Sequence, residues 1–303
     1  TELTDFAFSL SAAVMKVLAT TLLALVGSCA AFSAGGSRVL APGQASRARA
    51  APLSTVLVVG GTGGTGSEVC FQAAMVRNEP VVALCRDPSK LMIPEGSGGA
   101  AAGSPLKNDK LTAVKGSVTS AADVAAAFDA AGPGGVTGVV IALGGKTADV
   151  GETMLRDGTA VIISEMKKRG VKRISVVTSI GAGDSENQAP FFFKLLMMTA
   201  MKKIFKDKNA QEALFIAPGA PGAELEWTLV RPGGLTKDAP NGIINVIEGE
   251  AGSIARADVA AFCLDAVLQP DFKYLRRSPC ISSEKGTSWQ KDKGTPVGGN
   301  VRS

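Results

Sequence analysis

The chain has 303 residues, of which 46% are hydrophobic and 19% charged, so it is long enough and apolar enough to bury a globular core. Its formal net charge is +5, but it has no block of Lys and Arg and only 5% aromatic residues, which disfavours a nucleic-acid partner. It contains no His and one Tyr, which excludes a Ser-His-Asp triad, a His-ligated zinc and a His general base. The five Cys include no Cys-x-x-Cys pair, so we expect no metal site and no disulfide framework.

The N-terminal part of the chain has the composition of a targeting leader. We expect translation to start at Met15, with residues 1–14 an extension of the gene model. Residues 15–31 have a basic start, a short apolar stretch and small residues at the end, as a signal peptide does, and residues 32–53 contain Arg, Ser and Ala but no acid, as transit peptides do. This layout resembles the bipartite plastid presequences of algae with secondary red plastids. It predicts a plastid location, in the chloroplast stroma or at the thylakoid surface; an uncleaved membrane anchor with a flexible linker is the alternative.

After the leader, short apolar runs alternate with helical patterns. The first run, TVLVVGG from Thr55, precedes a helical stretch from Thr65 to about Asn78, which is the start of a βαβ unit. Continuous apolar runs, rather than alternating ones, are typical of parallel strands that helices cover on both faces. The sequence therefore predicts an α/β fold with a doubly wound, mostly parallel sheet, as a single domain over residues 54–283, followed by a flexible tail over 284–303.

The turn after the first predicted strand has the sequence GGTGGTG. Gly60, Gly63 and Gly66 have the spacing of a dinucleotide-binding loop, where glycines allow a tight turn, close approach of the backbone to a pyrophosphate, and close contact of helix and strand. The first N–H groups of the helix would face the phosphates, and Thr62 and Thr65 would add hydroxyl donors. A glycine-rich loop that binds nothing is the alternative. Because strand, turn, helix and next strand fall within one βαβ unit, we expect this turn to bind a nicotinamide dinucleotide.

The second predicted strand is followed by Arg86 and then Asp87. Proteins that bind NAD usually have an acid near this point, which accepts a hydrogen bond from the ribose 2′-hydroxyl, whereas a guanidinium pairs with the 2′-phosphate of NADP. A solvated surface arginine is the alternative. Since Arg86 comes first, the sequence favours NADP, as NADPH in its reduced form, over NAD.

Several segments resemble, in the same order, those of the atypical short-chain dehydrogenases/reductases. They include VVGGTGGTGSEV, ALCRDPSKL, GVKRISVVTSIGAG and EWTLVRPGGL, and the similar groups are the NAD(P)H-binding NmrA-like proteins and the biliverdin reductase B and flavin reductase-like proteins. The resemblance covers about residues 55–283 and implies a Rossmann fold with NADP along the carboxyl ends of the strands. It also implies cofactor contacts by Ser117 and Val118 on the adenine side, by Leu143, Gly144 and Gly145 at the nicotinamide ribose, and by Pro232 and Gly233 at the nicotinamide amide.

The chain departs from this family at the catalytic tyrosine. These enzymes use Ser, Tyr and Lys, with Tyr four residues before Lys, so that the lysine lowers the pKa of the phenol. Alignment on the family places Lys208 at the lysine position and Ile204 at the tyrosine position, while Ser179 ends the fifth predicted strand. Ser179 and Lys208 are the candidate catalytic residues; a strand-end serine and a solvated helix lysine are the alternatives. The resemblance implies that the tyrosine is dispensable for flavin- and biliverdin-like acceptors, because a conjugated acceptor takes hydride first and is then protonated by solvent.

The predicted function is that of an NADPH-dependent reductase of a conjugated small molecule such as a flavin, a quinone or a tetrapyrrole. The alternative, which the missing tyrosine favours, is a non-catalytic NADP(H)-binding sensor or an assembly or regulatory protein. Between Ser179 and Lys208 lie 28 residues, which include FFFKLLMMTAMKKIF over 191–205 and form a longer connection than is usual in the family that the chain resembles. The segment 191–205 predicts a helix packed on the core, a wall of a pocket for a planar or isoprenoid acceptor, or a peripheral contact with a thylakoid membrane or a protein complex.

Overall fold

The computed structural model describes residues 54–144, 152–189, 191–248, 252–283 and 295–300. The predicted targeting leader and Gly145 of the predicted cofactor site lie outside these residues. No helix within the described ranges is long and apolar enough to cross a membrane.

Strands and helices follow one another along the chain as the apolar runs predict. The strands are β1 (Thr55–Val59), β2 (Val81–Cys85), β3 (Leu111–Lys115), β4 (Val136–Ile141), β5 (Arg173–Val177), β6 (Glu226–Pro232), β7 (Gly234–Thr236), β8 (Asn245–Glu248), β9 (Ser253–Ala255), β10 (Cys280–Ser282) and β11 (Thr295–Asn300). The α-helices are α1 (Gly64–Phe71), α2 (Glu95–Gly98), α3 (Ala121–Asp129), α4 (Met154–Arg169), α5 (Phe191–Met198), α6 (Lys202–Ile216) and α7 (Arg256–Leu268). A π-helical turn, Gln72–Val76, extends α1.

The main sheet has the strand order β11-β8-β10-β6-β5-β4-β1-β2-β3. Every neighbouring pair from β3 to β10 is parallel, and β8 and β11 are added antiparallel at the far edge. The chain winds in opposite directions from β1, towards β3 on one side and towards β6 on the other. The predicted doubly wound, mostly parallel sheet is thus confirmed, and its crevice lies between the loops that follow β1 and β4.

The side chains of β1 alternate between two hydrophobic layers on opposite faces of the sheet. Val56 and Val58 belong to a layer that includes residues of α1 and α7, whereas Leu57 and Val59 belong to one that includes residues of α3, α4 and α6. All five residues of β1 are buried. Burial on both faces explains why this strand is apolar at every position apart from Thr55.

The structure corrects the predicted tail at one place. Residues 295–300, within the segment 284–303 predicted to be flexible, form β11, which pairs antiparallel with β8. Neither β8 nor β11 is a continuous apolar run of the kind from which β1 to β6 were predicted, so this pairing has no clear signal in the sequence.

Candidate functional site

A cleft of about 390 Å³ lies at the carboxyl ends of β1, β2, β3 and β4. Its volume is within the range of ligand-binding pockets, and its place beside the reversal in strand order is where open α/β sheets bind ligands. The loops after four different strands contribute predicted cofactor residues to its wall. These residues are Gly60, Thr62, Gly63, Arg86, Ser117, Val118, Leu143 and Gly144.

The glycine-rich loop packs too closely for side chains. Gly60 has a φ of +90°, and a Cβ on it would lie 2.7 Å from the carbonyl oxygen of Ala142. Gly66 does not line the cleft; it lies in the first turn of α1, where a Cβ would collide with the carbonyl oxygen of Gly60. The loop therefore keeps α1 against β1 and leaves its backbone open to the cleft.

The N-terminus of α1 is suited to a phosphate. No side chain of the described chain caps this helix at Gly63, so its first N–H groups remain available. Thr62 lines the cleft, whereas Thr65 is buried in the first turn and does not. Of the two predicted hydroxyl donors, the structure thus places only Thr62 on the cleft wall.

At the end of β2, the arginine and the aspartate have different surroundings. Arg86 is exposed on the cleft wall and forms no hydrogen bond or ion pair with another described residue. Asp87 instead accepts hydrogen bonds from the N–H of Ser89 at 3.1 Å and from its hydroxyl at 2.6 Å, and the Nζ of Lys90 lies 3.5 Å away. The hydrogen bonds from Ser89, helped by Lys90, lower the pKa of Asp87. The guanidinium, rather than the carboxylate, is the group that faces the cleft.

The loop after β3 is held in place by Asp123, which the sequence analysis missed. The N–H of Ser117 donates to Oδ2 of Asp123 at 2.8 Å, and a Cβ on Gly116 would lie 2.6 Å from the Cβ of Asp123. Asp123 also donates its own N–H to the hydroxyl of Ser120, the N-cap of α3, at 3.3 Å. The Ser-x-x-Asp spacing of a capping box at 120–123 is the signal that would have found it.

Met154 lines the cleft wall and was not among the predicted site residues. It is the first residue of α4, and Asp207 of α6 accepts hydrogen bonds from the next two N–H groups, of Leu155 at 2.8 Å and of Arg156 at 3.0 Å. Since the first N–H groups of a helix lack intrahelical partners, the buried carboxylate of Asp207 caps α4 from another element. The contact joins residues 52 apart in the chain, so no local motif indicates it.

The side chains of both candidate catalytic residues bind backbone carbonyls just after the carboxyl end of β5. The Nζ of Lys208 donates to the carbonyl oxygen of Thr178 at 3.0 Å, and the hydroxyl of Ser179 donates to the carbonyl oxygen of Ile180 at 3.0 Å. Burial lowers the pKa of Lys208 to about 8, although Glu212 and Asp207 oppose this shift. In this structure both side chains are bonded to backbone carbonyls.

Ser179 lies beside the cleft rather than on its wall. Because β4 and β5 are parallel neighbours in which Ile141 is level with Val176, Gly144 and Ser179, each three residues further on, follow at the same edge of the sheet. Lys208 does not line the cleft either. The candidate catalytic pair is therefore adjacent to the candidate cofactor site.

The tyrosine that serves as the proton donor in the similar enzymes is not replaced by another tyrosine beside Lys208. Ile204 is partly buried in the first turn of α6, and the single tyrosine, Tyr274, is buried in the layer shared with α7. The Tyr274 ring packs against Phe262 and Phe272, each with a centroid separation of 5.8 Å. Tyr274 is thus a core residue.

Pro232 and Gly233, predicted at the nicotinamide amide, do not line the described cleft. The carbonyl oxygen of Pro232 accepts a hydrogen bond from the N–H of Ile180 at 3.0 Å, and the N–H of Gly233 donates to the carbonyl oxygen of Ile281 at 3.1 Å. The carbonyl of Pro232 thus joins β6 to the loop after β5, and the N–H of Gly233 joins the end of β6 to β10. The N–H of Gly233 is therefore not available as a donor to a ligand in this structure.

A family model described as NAD(P)H-binding matches residues 60–270. The chain belongs to this NAD(P)H-binding family. The matched residues include the glycine-rich loop, the end of β2, the candidate catalytic pair and α7. The predicted resemblance to an atypical short-chain dehydrogenase/reductase is confirmed, and the cleft is the site at which this family's fold places a nicotinamide dinucleotide.

Solved structures of the same fold include ChuY of Escherichia coli CFT073, with a TM-score of 0.56 and 26% identity over 77% of this chain and 99% of that one. ChuY of E. coli O157:H7, an anaerobilin reductase, has a TM-score of 0.56 and 24% identity over the same shares. A short-chain dehydrogenase/reductase of Veillonella parvula, in complex with NADP, has a TM-score of 0.59 and 13% identity over 79% of this chain and 99% of that one. The last two comparisons show the fold alone.

Among curated proteins, an uncharacterized chloroplastic protein of Arabidopsis thaliana is similar to part of the chain. The two are 32% identical over 126 residues, which are 39% of this chain and 41% of the relative. The similarity thus spans less than half of the relative's length.

Proposed function

We propose that the protein is an NADPH-dependent reductase of a conjugated small molecule, of the flavin, quinone or tetrapyrrole type. The observation that carries this proposal is the cleft at the reversal in strand order, with the uncapped N-terminus of α1 on one side and Arg86 on the other. The likeness to ChuY, which in E. coli O157:H7 is an anaerobilin reductase, supports linear tetrapyrroles as the first acceptors to test. The chloroplastic relative supports a plastid location.

The residues of the cleft fit NADPH better than NADH. The N-terminus of α1 and Thr62 would hold the pyrophosphate, and Arg86 would pair with the 2′-phosphate. Asp87 is already satisfied by Ser89 and Lys90, so it does not compete for a ribose 2′-hydroxyl. When bound, NADPH supplies a hydride to the acceptor.

The chain's own polar groups suit an acceptor that needs no enzymatic acid. Ser179 could rotate its hydroxyl from the carbonyl of Ile180 to a carbonyl of the acceptor. Lys208, bonded to the carbonyl of Thr178, is a positioning residue that fixes the end of β5. With Ile204 at the tyrosine position, solvent must protonate the product, which restricts the acceptor to molecules that delocalise the negative charge.

The cofactor preference is tested by replacing Arg86 with Asp. We expect the affinity for NADPH to fall about 10- to 100-fold, because a charge-assisted pair with the 2′-phosphate is lost, and the affinity for NADH to change little. Titration of both cofactors by calorimetry measures this. Lys167→Asp, at an exposed position near the end of α4, is the control for the change in charge. Equal losses for the two cofactors in Arg86→Asp would contradict a 2′-phosphate contact.

Turnover separates the reductase from a second candidate function. The contacts of Ser179 and Lys208 with backbone carbonyls, together with Ile204, favour a non-catalytic NADP(H)-binding sensor or assembly protein. The test is NADPH oxidation with a panel of flavins, quinones and linear tetrapyrroles, with cofactor binding measured in the same samples. Turnover well above the uncatalysed rate supports the reductase, whereas tight NADPH binding without turnover of any acceptor supports the sensor.

A further inference from the structure

Helix α5 exposes several large apolar side chains to solvent. Phe191 is 71% exposed, Leu195 54% and Met198 69%. Their spacing of four and then three residues places them on one face of the helix. We call Phe191, Leu195 and Met198 the apolar stripe.

The opposite face of α5 fixes the helix to the protein. Met197 is buried in a small cluster with Ile180 and Phe205, and the ring of Phe193 meets that of Phe205 edge-on at a centroid distance of 5.9 Å. The prediction of a core helix thus holds for this inner face. The apolar stripe faces outward, which is the reverse of an ordinary surface helix, whose outer face is polar.

Lysines lie near the apolar stripe on α5 and at the start of α6. Residues 191–206 contain four lysines and no acidic residue, and Lys194 lies on α5 itself, between Phe191 and Leu195. Lys202 and Lys206 are exposed at the start of α6, whereas Lys203 is paired with Glu152 at 2.6 Å. Met198, Lys202 and Lys206 line one shallow pocket together with Glu186, so the rim near Met198 contains two lysines and one acid and is net positive.

We propose that the apolar stripe docks peripherally on an anionic lipid surface. Apolar side chains on such a helix enter the boundary between headgroups and acyl chains, and lysines at its margin are attracted to anionic headgroups. A two-fold contact between copies of the chain would instead bring the two lysine rims together. One face of an eight-residue helix is also small beside the roughly 800 Å² per partner that a stable protein interface buries.

Flotation of the full chain with lipid vesicles tests the proposal. We expect the protein to float with vesicles of phosphatidylcholine and phosphatidylglycerol, to float less as salt is raised, and to bind vesicles of phosphatidylcholine alone much more weakly. All variants retain residues 1–53, which include the apolar stretch of the predicted signal peptide. A difference in flotation between variants therefore reports on the apolar stripe and not on this stretch.

Two glutamate variants provide a matched comparison. Met198→Glu introduces a charge at a site that is 69% exposed in the apolar stripe, and Val76→Glu introduces the same charge at a 67% exposed site at the end of the π-helical turn after α1. We expect Met198→Glu to lower the fraction of protein that floats and Val76→Glu to leave that fraction unchanged. Leu195→Gln is a second, uncharged variant of the apolar stripe, and it should also lower the fraction that floats. Thermal unfolding of each variant shows whether the variant is folded. Lys202→Gln and Lys206→Gln should each weaken binding about fivefold, as expected for about 1 kcal/mol per lysine.

Three results would overturn the proposal. They are equal flotation of Met198→Glu and Val76→Glu, equal binding to neutral and anionic vesicles, and a dimer in sedimentation equilibrium that Met198→Glu dissociates and Val76→Glu does not. The last result would assign the apolar stripe to a second copy of the chain.

Discussion

Glu212 and Arg231 form a buried ion pair behind the candidate active site. Their side chains are 0% and 3% exposed, and two hydrogen bonds join them, from Nη2 of Arg231 to Oε2 at 2.6 Å and from Nε to Oε1 at 3.0 Å. The hydroxyl of Thr178 donates to the same carboxylate at 2.7 Å. The pair thus connects α6, β6 and the end of β5, where Ser179 and Lys208 lie.

Replacing Glu212 with Gln should destabilise the protein by about 2–3 kcal/mol, because it removes the buried counter-ion of Arg231 and leaves only Asp184, whose side chain is 87% exposed. The free energy of unfolding in urea measures this. The control is Asp129→Asn, which breaks an ion pair with Arg169 at a side chain that is 67% exposed and should cost at most about 1 kcal/mol. Similar losses in the two variants would contradict the role assigned to burial.

Lys208 should make stability depend on pH. Its pKa is about 8 in the folded protein, against an ordinary value of 10.5, because burial disfavours the charged form. Between these two values the unfolded chain binds more protons than the folded one, so this residue makes the free energy of unfolding rise with pH. The effect is at most about 3 kcal/mol over the whole window.

Lys208→Met removes this dependence. The free energy of unfolding of the parent chain minus that of the variant, from urea titrations at pH 7 to 10, should increase with pH above about 8. Taking the difference cancels the titration of the other groups. A difference that stays constant or decreases would show that Lys208 is not desolvated.

At the scale of elements, α6 fixes two different parts of the candidate site with two successive residues. Asp207 caps α4, whose first residue, Met154, lines the cleft, and Lys208 holds the end of β5. Gln211, one turn further on, donates to the hydroxyl of Thr159 on α4 at 2.8 Å. The geometry around the cleft thus depends on a helix that lies outside its wall.

Asp207→Ala should lower the unfolding free energy by about 1–2 kcal/mol through loss of the cap and should also weaken NADPH binding, because the start of α4 loosens beside the cleft. The matched control is Asp157→Ala, which removes a carboxylate that is 45% exposed from the first turn of α4 itself. Urea unfolding and cofactor titration on both variants provide the comparison. Equal effects on NADPH affinity would argue against a specific role for the cap.

Across the whole molecule, the sequence was most informative where structure is local. The strands from β1 to β6 were predicted because each contains a short apolar run, and the glycine-rich turn and Arg86 were predicted because they follow such a run directly. Ser117, Val118, Leu143 and Gly144 were predicted from the resemblance to a family. The strands β7 to β10 have only three or four residues, too few for a periodic signal. Thr65 and Gly233 were assigned by position in a motif, which does not reveal that one is buried and the other is bonded to Ile281.

The groups that hold the site together could not be predicted. Asp207 acts on α4, and Glu212 pairs with Arg231 on β6, so each depends on how distant elements pack. A buried Asp or Glu on a helix has no local pattern that distinguishes it from a solvated one. Asp123 is the exception, since its capping box is local.

The burial of cysteines throughout the fold predicts low thiol reactivity. Cys70, Cys85, Cys263 and Cys280 are buried and unpaired, and burial raises the pKa of Cys263 to about 12 and of Cys280 to about 11. In a Cys29→Ser variant only these four cysteines remain. The folded variant should react slowly with Ellman's reagent, and the variant unfolded in urea should show four reactive thiols per chain. A rapid equivalent in the folded protein would reveal a thiolate that the packing does not account for.

The continuity of α6 has a thermodynamic consequence. Its 15 residues form a rod about 22 Å long, with Phe205 packed under α5 near one end and Asp207 and Lys208 holding α4 and β5. A displacement of this rod moves both the surface at α5 and the wall of the cleft. If binding of lipid at α5 changes the affinity for a nucleotide by some factor, binding of the nucleotide must change the affinity for lipid by the same factor. Each binding equilibrium can therefore be measured through its effect on the other.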